Sequence, residues 1–402
     1  MTGVAVEKEM LRVWFEDVYH WAGDVYRRIV QWTSRTVRGV DPYKVVFSCL
    51  GGRSYGDSMR CISERLHERC PEAKIVWQFN HTNLDRGRMM VPDYVRTVRC
   101  RSVEACVEFA TARMWVDNYS KPTFMTLDKR RQYYVQTWHG DRAIKKIGYD
   151  ENAPYIRRVE EHCSRIVTAS AFGEKMYRTA FNYRGEYLRV GTPRNDVLVK
   201  NDPAQRERIR QSLGIAGDVG LLLYAPTYRE KREMIPKEVQ MDLSRTLDCL
   251  ESSTGKTWKC LFRAHYLSSG LDLEGVRDRI VDVTQYEDMA ELLLAADMVL
   301  TDYSSCALDF ILLDRPALFY IPDWDHYRAA RGVYFDVRES PLMTAANQGE
   351  LEALIQSLSD GKVRQNCADI REYFGYYETG HATEAVCDYI IERLGNLDRL
   401  EA

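Results

Sequence analysis

From Lys44 onward, short apolar runs alternate with longer amphipathic stretches. KVVFSCLG, from Lys44 to Gly51, reads as a buried strand. A helix follows from about Ser58 to Cys70, and AKIVWQFN supplies the next strand. YVRTVRC, a helix through Val103 to Ala112, MWVDNYS, QYYVQTWHG and SRIVTAS continue the pattern. This is βαβ alternation, and it predicts a parallel sheet with helices on its faces. EYLRVGTPRNDVL reads as a crossing into a second domain. There the grammar repeats with LLLYAPTY, a helix around Val239 to Leu250, KCLFRAHY, RIVDVTQ, a helix from Asp288 to Ala296, MVLTDYS and ALFYIPD. The expected architecture is α/β, with two doubly wound, Rossmann-like domains facing a central cleft. The expected division is an N-terminal amphipathic segment over 1–40, a first domain over 41–190, a second over 191–375 and a C-terminal helix over 376–402.

The first forty residues follow another period. Trp14, Val18, Trp21, Val25, Ile29 and Trp32 recur every three or four positions, with Arg12, Arg27, Arg28, Arg35 and Arg38 among them. An aromatic stripe of this kind more often packs on its own domain, yet a basic amphipathic helix can also lie on an anionic membrane surface. Both readings stay open from the sequence. Length and composition agree with two cores, since the chain has 402 residues of which 45% are hydrophobic. With 56 Lys+Arg against 59 Asp+Glu, the net charge of -3 gives no global case for nucleic acid. The 11 Cys carry no paired CxxC spacing, as expected for reduced thiols in a cytoplasmic protein. Met1 to Met10 lacks the apolar core of a secretory signal, and no run approaches the ~18 apolar residues of a membrane span.

Candidate chemistry concentrates in MVLTDYSSCALDF, from Met298 to Phe310. Met298 to Leu300 read as a strand, Thr301 to Ser305 as its exit and Cys306 to Leu313 as a helix. Ser304 and Ser305 then stand at a helix N-terminus, where unpaired N–H groups favour phosphate oxygens. A Ser that merely caps the helix explains the same pattern. Ligands of open α/β sheets bind beyond the carboxyl ends of the strands, so His139, Thr227, Arg229, His265, Asp302, Ser304 and Ser305 become candidates as a group.

These residues sit in blocks that resemble the CDP-glycerol glycerophosphotransferase family, the builders of wall teichoic acid and related polyol-phosphate polymers. The resemblance spans roughly Val45 to Ile391. QTWHG at Gln136 to Gly140, GTPRND at Gly191 to Asp196, LLYAPTYR at Leu222 to Arg229, FRAH at Phe262 to His265 and TDYSSCALDFILLDRP at Thr301 to Pro316 appear in the family's order. It implies a GT-B fold with an acceptor-binding first domain and a donor-binding second one. It also implies transfer of glycerol phosphate, or another polyol phosphate, from a CDP-activated donor to a lipid-linked acceptor with release of CMP, with no further cofactor required.

On this resemblance His139 is the catalytic base, and its place at a strand end in a Gly-containing turn with Gly140 suits that role. His265 is implied to steady the donor phosphate or the leaving CMP. Arg263, two positions earlier on the same face, could add a bidentate contact. Ser304 and Ser305 would grip the diphosphate, Asp302 and Asp309 would approach the donor, and Thr227 and Arg229 the nucleotide. Asp309, one helical turn after Ser305, could receive a donor hydroxyl or simply favour the helix dipole. The chain departs from the family after the His of WHG, where Asp141, Arg142, Ala143 and Ile144 precede Lys145 and Lys146. This departure, beside His139, leaves the identity of the acceptor open. Tyr228 replaces a Trp, and Thr379 and Gly380 replace an Asp-Gly pair. Asp323 and Asp325 form a DxD, but they follow the last strand, and the sequence argues against a divalent metal. The resulting expectation is a peripheral enzyme on the inner face of the cell membrane. A GT-B glycosyltransferase using a nucleotide sugar and a non-catalytic nucleotide-binding subunit are the alternatives.

Overall fold

The structure, a computed structural model, describes residues 3–122, 124–151, 162–215, 217–227, 240–263 and 274–395, with side chains from residue 20 onward. Two parallel sheets organise it. The first contains β1 (Asp41–Ser48), β2 (Lys74–Phe79), β3 (Arg96–Arg99), β4 (Ala112–Asp117), β5 (Tyr133–Gln136), β6 (Arg165–Thr168) and β7 (Tyr187–Arg189), in the spatial order β3-β2-β1-β4-β5-β6-β7. The second contains β8 (Gly220–Tyr224), β9 (Trp258–Phe262), β10 (Ile280–Asp282), β11 (Met298–Thr301), β12 (Ala317–Tyr320) and β13 (Met343–Ala345), in the order β10-β9-β8-β11-β12-β13. Strand order reverses between β1 and β4 and again between β8 and β11. Each reversal opens a crevice at the carboxyl ends of the strands, as in doubly wound folds.

The strands are apolar on both faces because both faces are covered. Val45, Phe47 and Trp77 pack with Met59, Ile62 and Leu66 of the helix Asp57–Arg69, whereas Val46, Val76 and Trp115 pack on the other side with Ala105 and Phe109 of the helix Val103–Thr111. Side-chain alternation along a strand separates these sets. In the second sheet Leu221, Leu223 and Val299 face one core and Leu222, Leu300 and Cys260 the other. Polar side chains at helix starts hold the ends: Ser102, Ser170 and Asp288 each accept backbone N–H groups of the turn they open.

Three sequence expectations change. The crossing segment begins as β7, the last strand of the first sheet. The short β13 was not foreseen, because MTA carries no apolar run. The expected helix from Val239 is seen over Leu243–Thr254, started by Asp242; Val239 itself lies outside the described residues.

The C-terminal helix Ala382–Ile391 returns to the first domain. Val386, Cys387 and Ile390 join its core, and Arg65 and Arg69 pair with Glu384 and Asp388. The N-terminal helix Gly3–Arg38 packs through a polar side. Gln31 is fully buried and donates to the Phe124 carbonyl (3.1 Å), while Arg35 donates to the Thr126 carbonyl (2.5 Å). The described part of the aromatic stripe faces outward: Trp21, Ile29 and Trp32 are 68%, 53% and 66% exposed. Among the described residues of the stripe, these three do not pack on the domain, while Val25 is half-buried. Among the described residues, no helix is long and apolar enough to cross a membrane.

Candidate functional site

His139 leaves β5 through a tight turn. Thr137 N–H bonds the Asp117 carbonyl (2.9 Å), Trp138 N–H bonds Gln136 Oε1 (2.8 Å), and Trp138 adopts a left-handed backbone with φ 50°. That conformation is costly for an aromatic residue and is held by the burial of its ring against Phe181, centroids 4.7 Å apart. The turn sends Trp138 into the core and the half-buried His139 toward the second domain. His139 Nδ1 lies 2.8 Å from the Asn118 carbonyl. A carbonyl can only accept, so Nδ1 carries the proton and Nε2 keeps its lone pair. Burial holds the imidazole below its ordinary range, outweighing the opposing pull of the Asn118 bond and the Asp57 charge. Nε2 is a neutral base facing the cleft.

The two sequence blocks on either side of this cleft touch. A Cβ on Gly140 would lie 3.3 Å from Ser305 Oγ, so the QTWHG turn and the TDYSS turn are in contact. Ser305 opens the helix Cys306–Phe310 without using its hydroxyl as a cap, which leaves that hydroxyl facing the first domain. The helix is shorter than expected, and Ile311–Leu313 continues it as a 3-10 turn. Ser304 is partly committed, because its Oγ bonds Cys306 Sγ (3.2 Å) and accepts Cys306 N–H (3.4 Å).

Asp309 has another task than the one read from its spacing. It is 4% exposed, and its carboxylate accepts from Arg142 Nη2 (2.6 Å), Arg194 Nη2 (2.9 Å) and Asn195 Nδ2 (2.9 Å). Burial alone would raise its pKa, but Arg194 and Arg142 outweigh it and hold the carboxyl below the usual range. These three bonds make Asp309 a buried anchor between the two domains. Arg194 also bonds both Asp57 oxygens (3.2 Å each) and the His139 carbonyl (3.5 Å), so it ties the cleft wall to the His139 turn.

The departure after WHG is likewise internal. Arg142 is 2% exposed, lies over the Tyr376 ring at 4.1 Å and reaches Glu378 (3.4 Å). Asp141 accepts from Thr168 (2.8 Å) and Ser170 (2.5 Å) at the start of the helix Ala171–Ala180. Both side chains are buried and committed to partners within the protein. Glu378 completes the cluster by accepting from Thr192 N–H (2.9 Å) and Asn195 (3.0 Å), and it packs where a Cβ on Gly191, at φ +94°, would collide. Thr379 and Gly380 therefore follow the residue that matters there.

On the donor side, Asp302 Oδ1 accepts Thr227 N–H (2.7 Å) and Tyr303 N–H (2.6 Å), which fixes the loop after β8 to the exit of β11. Asp302 is buried and clamps this loop. Thr227 Oγ1 is buried with no hydrogen-bond partner among the described residues. Arg263 donates to the Tyr286 carbonyl (2.7 Å) and lies within electrostatic range of Cys306. His265, Arg229 and Tyr228 lie outside the described residues. Asp323 accepts from Tyr303 Oη (2.8 Å), whereas Asp325 faces Arg338 and Arg328 at the surface; the two do not converge. No group of three or more His, Cys, Asp or Glu able to hold a metal occurs among the described residues.

Sequence reasoning missed Arg194, Asn195, Asp57 and Glu378 as individuals. Arg194 and Asn195 were visible inside GTPRND, but their side-chain partners Asp57, Asp309 and Glu378 lie 137, 115 and 183 residues away, and spacing cannot reveal such pairs.

Comparison with known proteins agrees with this geometry. A family model described as CDP-Glycerol:Poly(glycerophosphate) glycerophosphotransferase matches residues 30–392. A teichoic acid poly(glycerol phosphate) polymerase of Staphylococcus epidermidis is 33% identical over 316 residues, which cover 75% of this chain and 43% of that protein. The chain thus spans less than half of that relative. The protein of the same name from Bacillus spizizenii is 28% identical over 367 residues, covering 86% of this chain and 91% of its own. The solved wall teichoic acid polymerase TagF superposes with TM-score 0.79 at 28% identity, covering 98% of both chains, and a variant of it was solved after soaking with CDPG. The two-domain arrangement is that of the GT-B fold, and the chain belongs to the CDP-glycerol:poly(glycerophosphate) glycerophosphotransferase family.

Proposed function

We propose that the chain transfers glycerol phosphate from CDP-glycerol to a hydroxyl of a lipid-linked acceptor in the synthesis of a teichoic-acid-type polymer, releasing CMP. The observation that carries this reading is the tautomer of His139, whose Nδ1–H is spent on Asn118 and whose Nε2 keeps its lone pair, on the turn whose next residue, Gly140, lies against Ser305. In the transfer, Nε2 takes the proton of the acceptor hydroxyl as its oxygen bonds the phosphorus bearing glycerol. The bond from that phosphorus to the bridging oxygen breaks, and CMP leaves with that oxygen. Negative charge grows on CMP, where Ser305, the backbone N–H groups of the TDYSS turn, Arg263 and the unpartnered Thr227 Oγ1 can meet it. His265 and Arg229 are proposed to complete this grip.

The lipid-linked acceptor and the inner membrane face belong to the same proposal. Their support is the exposed row of Trp21, Ile29 and Trp32 on a helix anchored through its polar side. Donor screening tests the reaction: purified protein and acceptor are incubated with CDP-glycerol, CDP-ribitol and UDP-sugars, and the released nucleotide is identified. CMP from CDP-glycerol is expected. UDP from a UDP-sugar would install the glycosyltransferase in its place, and no release from any donor would leave a nucleotide-binding subunit.

A further inference from the structure

Three charged side chains act on His139: Asp57 at the start of the helix Asp57–Arg69, Arg194 of the GTPRND segment, and Lys145, six positions along its own loop. Asp57 and Arg194 are spent on each other, with both Asp57 oxygens 3.2 Å from Arg194 Nη1, and Arg194 also holds Asp309. Lys145 differs. It is exposed, and no ion pair or hydrogen bond engages its ammonium among the described residues.

The backbone nevertheless fixes where Lys145 stands. The loop that leaves the His139 turn crosses to the second domain and makes an antiparallel bridge there, with Lys145 opposite Val333. Tyr334 N–H bonds the Ile144 carbonyl (2.9 Å), and Lys146 N–H bonds the Gly332 carbonyl (3.2 Å). Side chains alternate along such an extended segment. Ile144, 1% exposed, enters the core of the second domain, and Lys146 lies along Gly332, where a Cβ would stand 3.1 Å from its Cδ. Lys145, between them, is turned away from both and lies within electrostatic range of His139. A bridge between the two domains thus carries an unpaired cation beside the base.

The transfer supplies its partner. Ser305, the TDYSS turn, Arg263 and Thr227 are placed to meet the leaving CMP, and none of them is assigned to the phosphate under attack. That phosphate carries a negative charge on its nonbridging oxygens, and the charge opposes the approach of a hydroxyl oxygen. Phosphoryl transfer relies on cations there to hold the group in line and offset its charge. An ammonium on a flexible stem can follow those oxygens as the group moves.

We propose that Lys145 is a further catalytic residue, which donates to the nonbridging oxygens of the glycerol-bearing phosphate of CDP-glycerol while His139 Nε2 takes the acceptor proton. Lys145 neither gives nor takes a proton. It holds the phosphate as the acceptor oxygen bonds phosphorus and the bridging oxygen leaves with CMP. The inference deepens the transferase reading and rests on it. A solvated surface lysine is the competing explanation.

The probes are CDP-glycerol and CMP, which differ by the glycerol-bearing phosphate. Binding of each to the full chain is measured by calorimetry for the wild type, Lys145→Met, Lys145→Arg and Lys146→Met. Lys145→Met should weaken CDP-glycerol by about tenfold or more, the scale of one hydrogen bond to a charged group, and leave CMP within about twofold. Lys145→Arg should recover most of the affinity. Lys146→Met removes the same charge one residue away and should bind both probes as the wild type does. In CMP release from CDP-glycerol with acceptor present, the kcat of Lys145→Met should fall by about tenfold or more. Unchanged affinity of Lys145→Met for CDP-glycerol, an unchanged kcat, or an equal loss for CMP or in Lys146→Met would overturn the inference. The expected binding pattern with no CMP release by the wild type would instead defeat the transferase reading.

Discussion

His139 shows how much one residue's chemistry depends on a neighbour remote in sequence. Its place at the end of β5, inside QTWHG, was legible because a strand end and a Gly turn are local patterns. The Asn118 carbonyl that fixes its tautomer was not, because it enters from the end of β4, 21 residues earlier. Burial keeps the imidazole below its ordinary range, so the base is neutral at neutral pH and becomes protonated only at lower pH than a free histidine. The acid limb of kcat/KM against pH should therefore fall below the ordinary histidine value of about 6.5. A limb above that value would show that desolvation does not govern this group. Asp309 is the contrary lesson: four positions after Ser305, its spacing allows a donor ligand or a first-turn acid favouring the helix dipole, and only the folded chain brings Arg142 and Arg194 to it.

At the scale of elements, the site is held by segments that meet across the cleft. The loop after β5, the GTPRND segment after β7, the helix Cys306–Phe310 and Glu378 near the C-terminus share one buried network of Arg142, Arg194, Asn195 and Asp309. Breaking a buried pair by removing one partner leaves uncompensated charge and typically costs about 3–5 kcal/mol. Asp309→Asn should lose stability of that order in urea denaturation. Its KM for CDP-glycerol in the folded fraction should change little; a raised KM at unchanged stability would return Asp309 to the donor. The pH dependence has a definite sign. The folded pKa of Asp309 is depressed, so its contribution is present above the unfolded carboxylate value of about 3.9 and is lost as pH falls through the lower folded value. The deficit of Asp309→Asn should therefore shrink toward acid. The strands and most helices were readable because apolar runs and capping residues are local; β13 was not, since its three residues are strand only by pairing with β12.

For the whole molecule, the alternation of strands and helices carried the architecture, and the order of five sequence blocks carried the family. What escaped was orientation. The N-terminal stripe of aromatics reads from sequence either as a packing face or as a membrane-surface face; in the fold Gln31 and Arg35 do the packing and Trp21, Ile29 and Trp32 point away. Replacing Trp21, Ile29 and Trp32 together with Ser leaves the packed side intact and should reduce co-sedimentation with anionic vesicles by at least tenfold, with unchanged thermal stability. Equal sedimentation would take this helix out of the membrane proposal. The central claim is that a glycerol phosphate transferase works through the free Nε2 of His139. It is tested most directly by the rate of CMP release from CDP-glycerol, with acceptor present, for the wild type and for His139→Ala. General base catalysis is worth about 10²–10⁴-fold, so the variant should fall by at least a hundredfold while still binding CDP-glycerol. A His139→Ala rate within a fewfold of the wild type would contradict it.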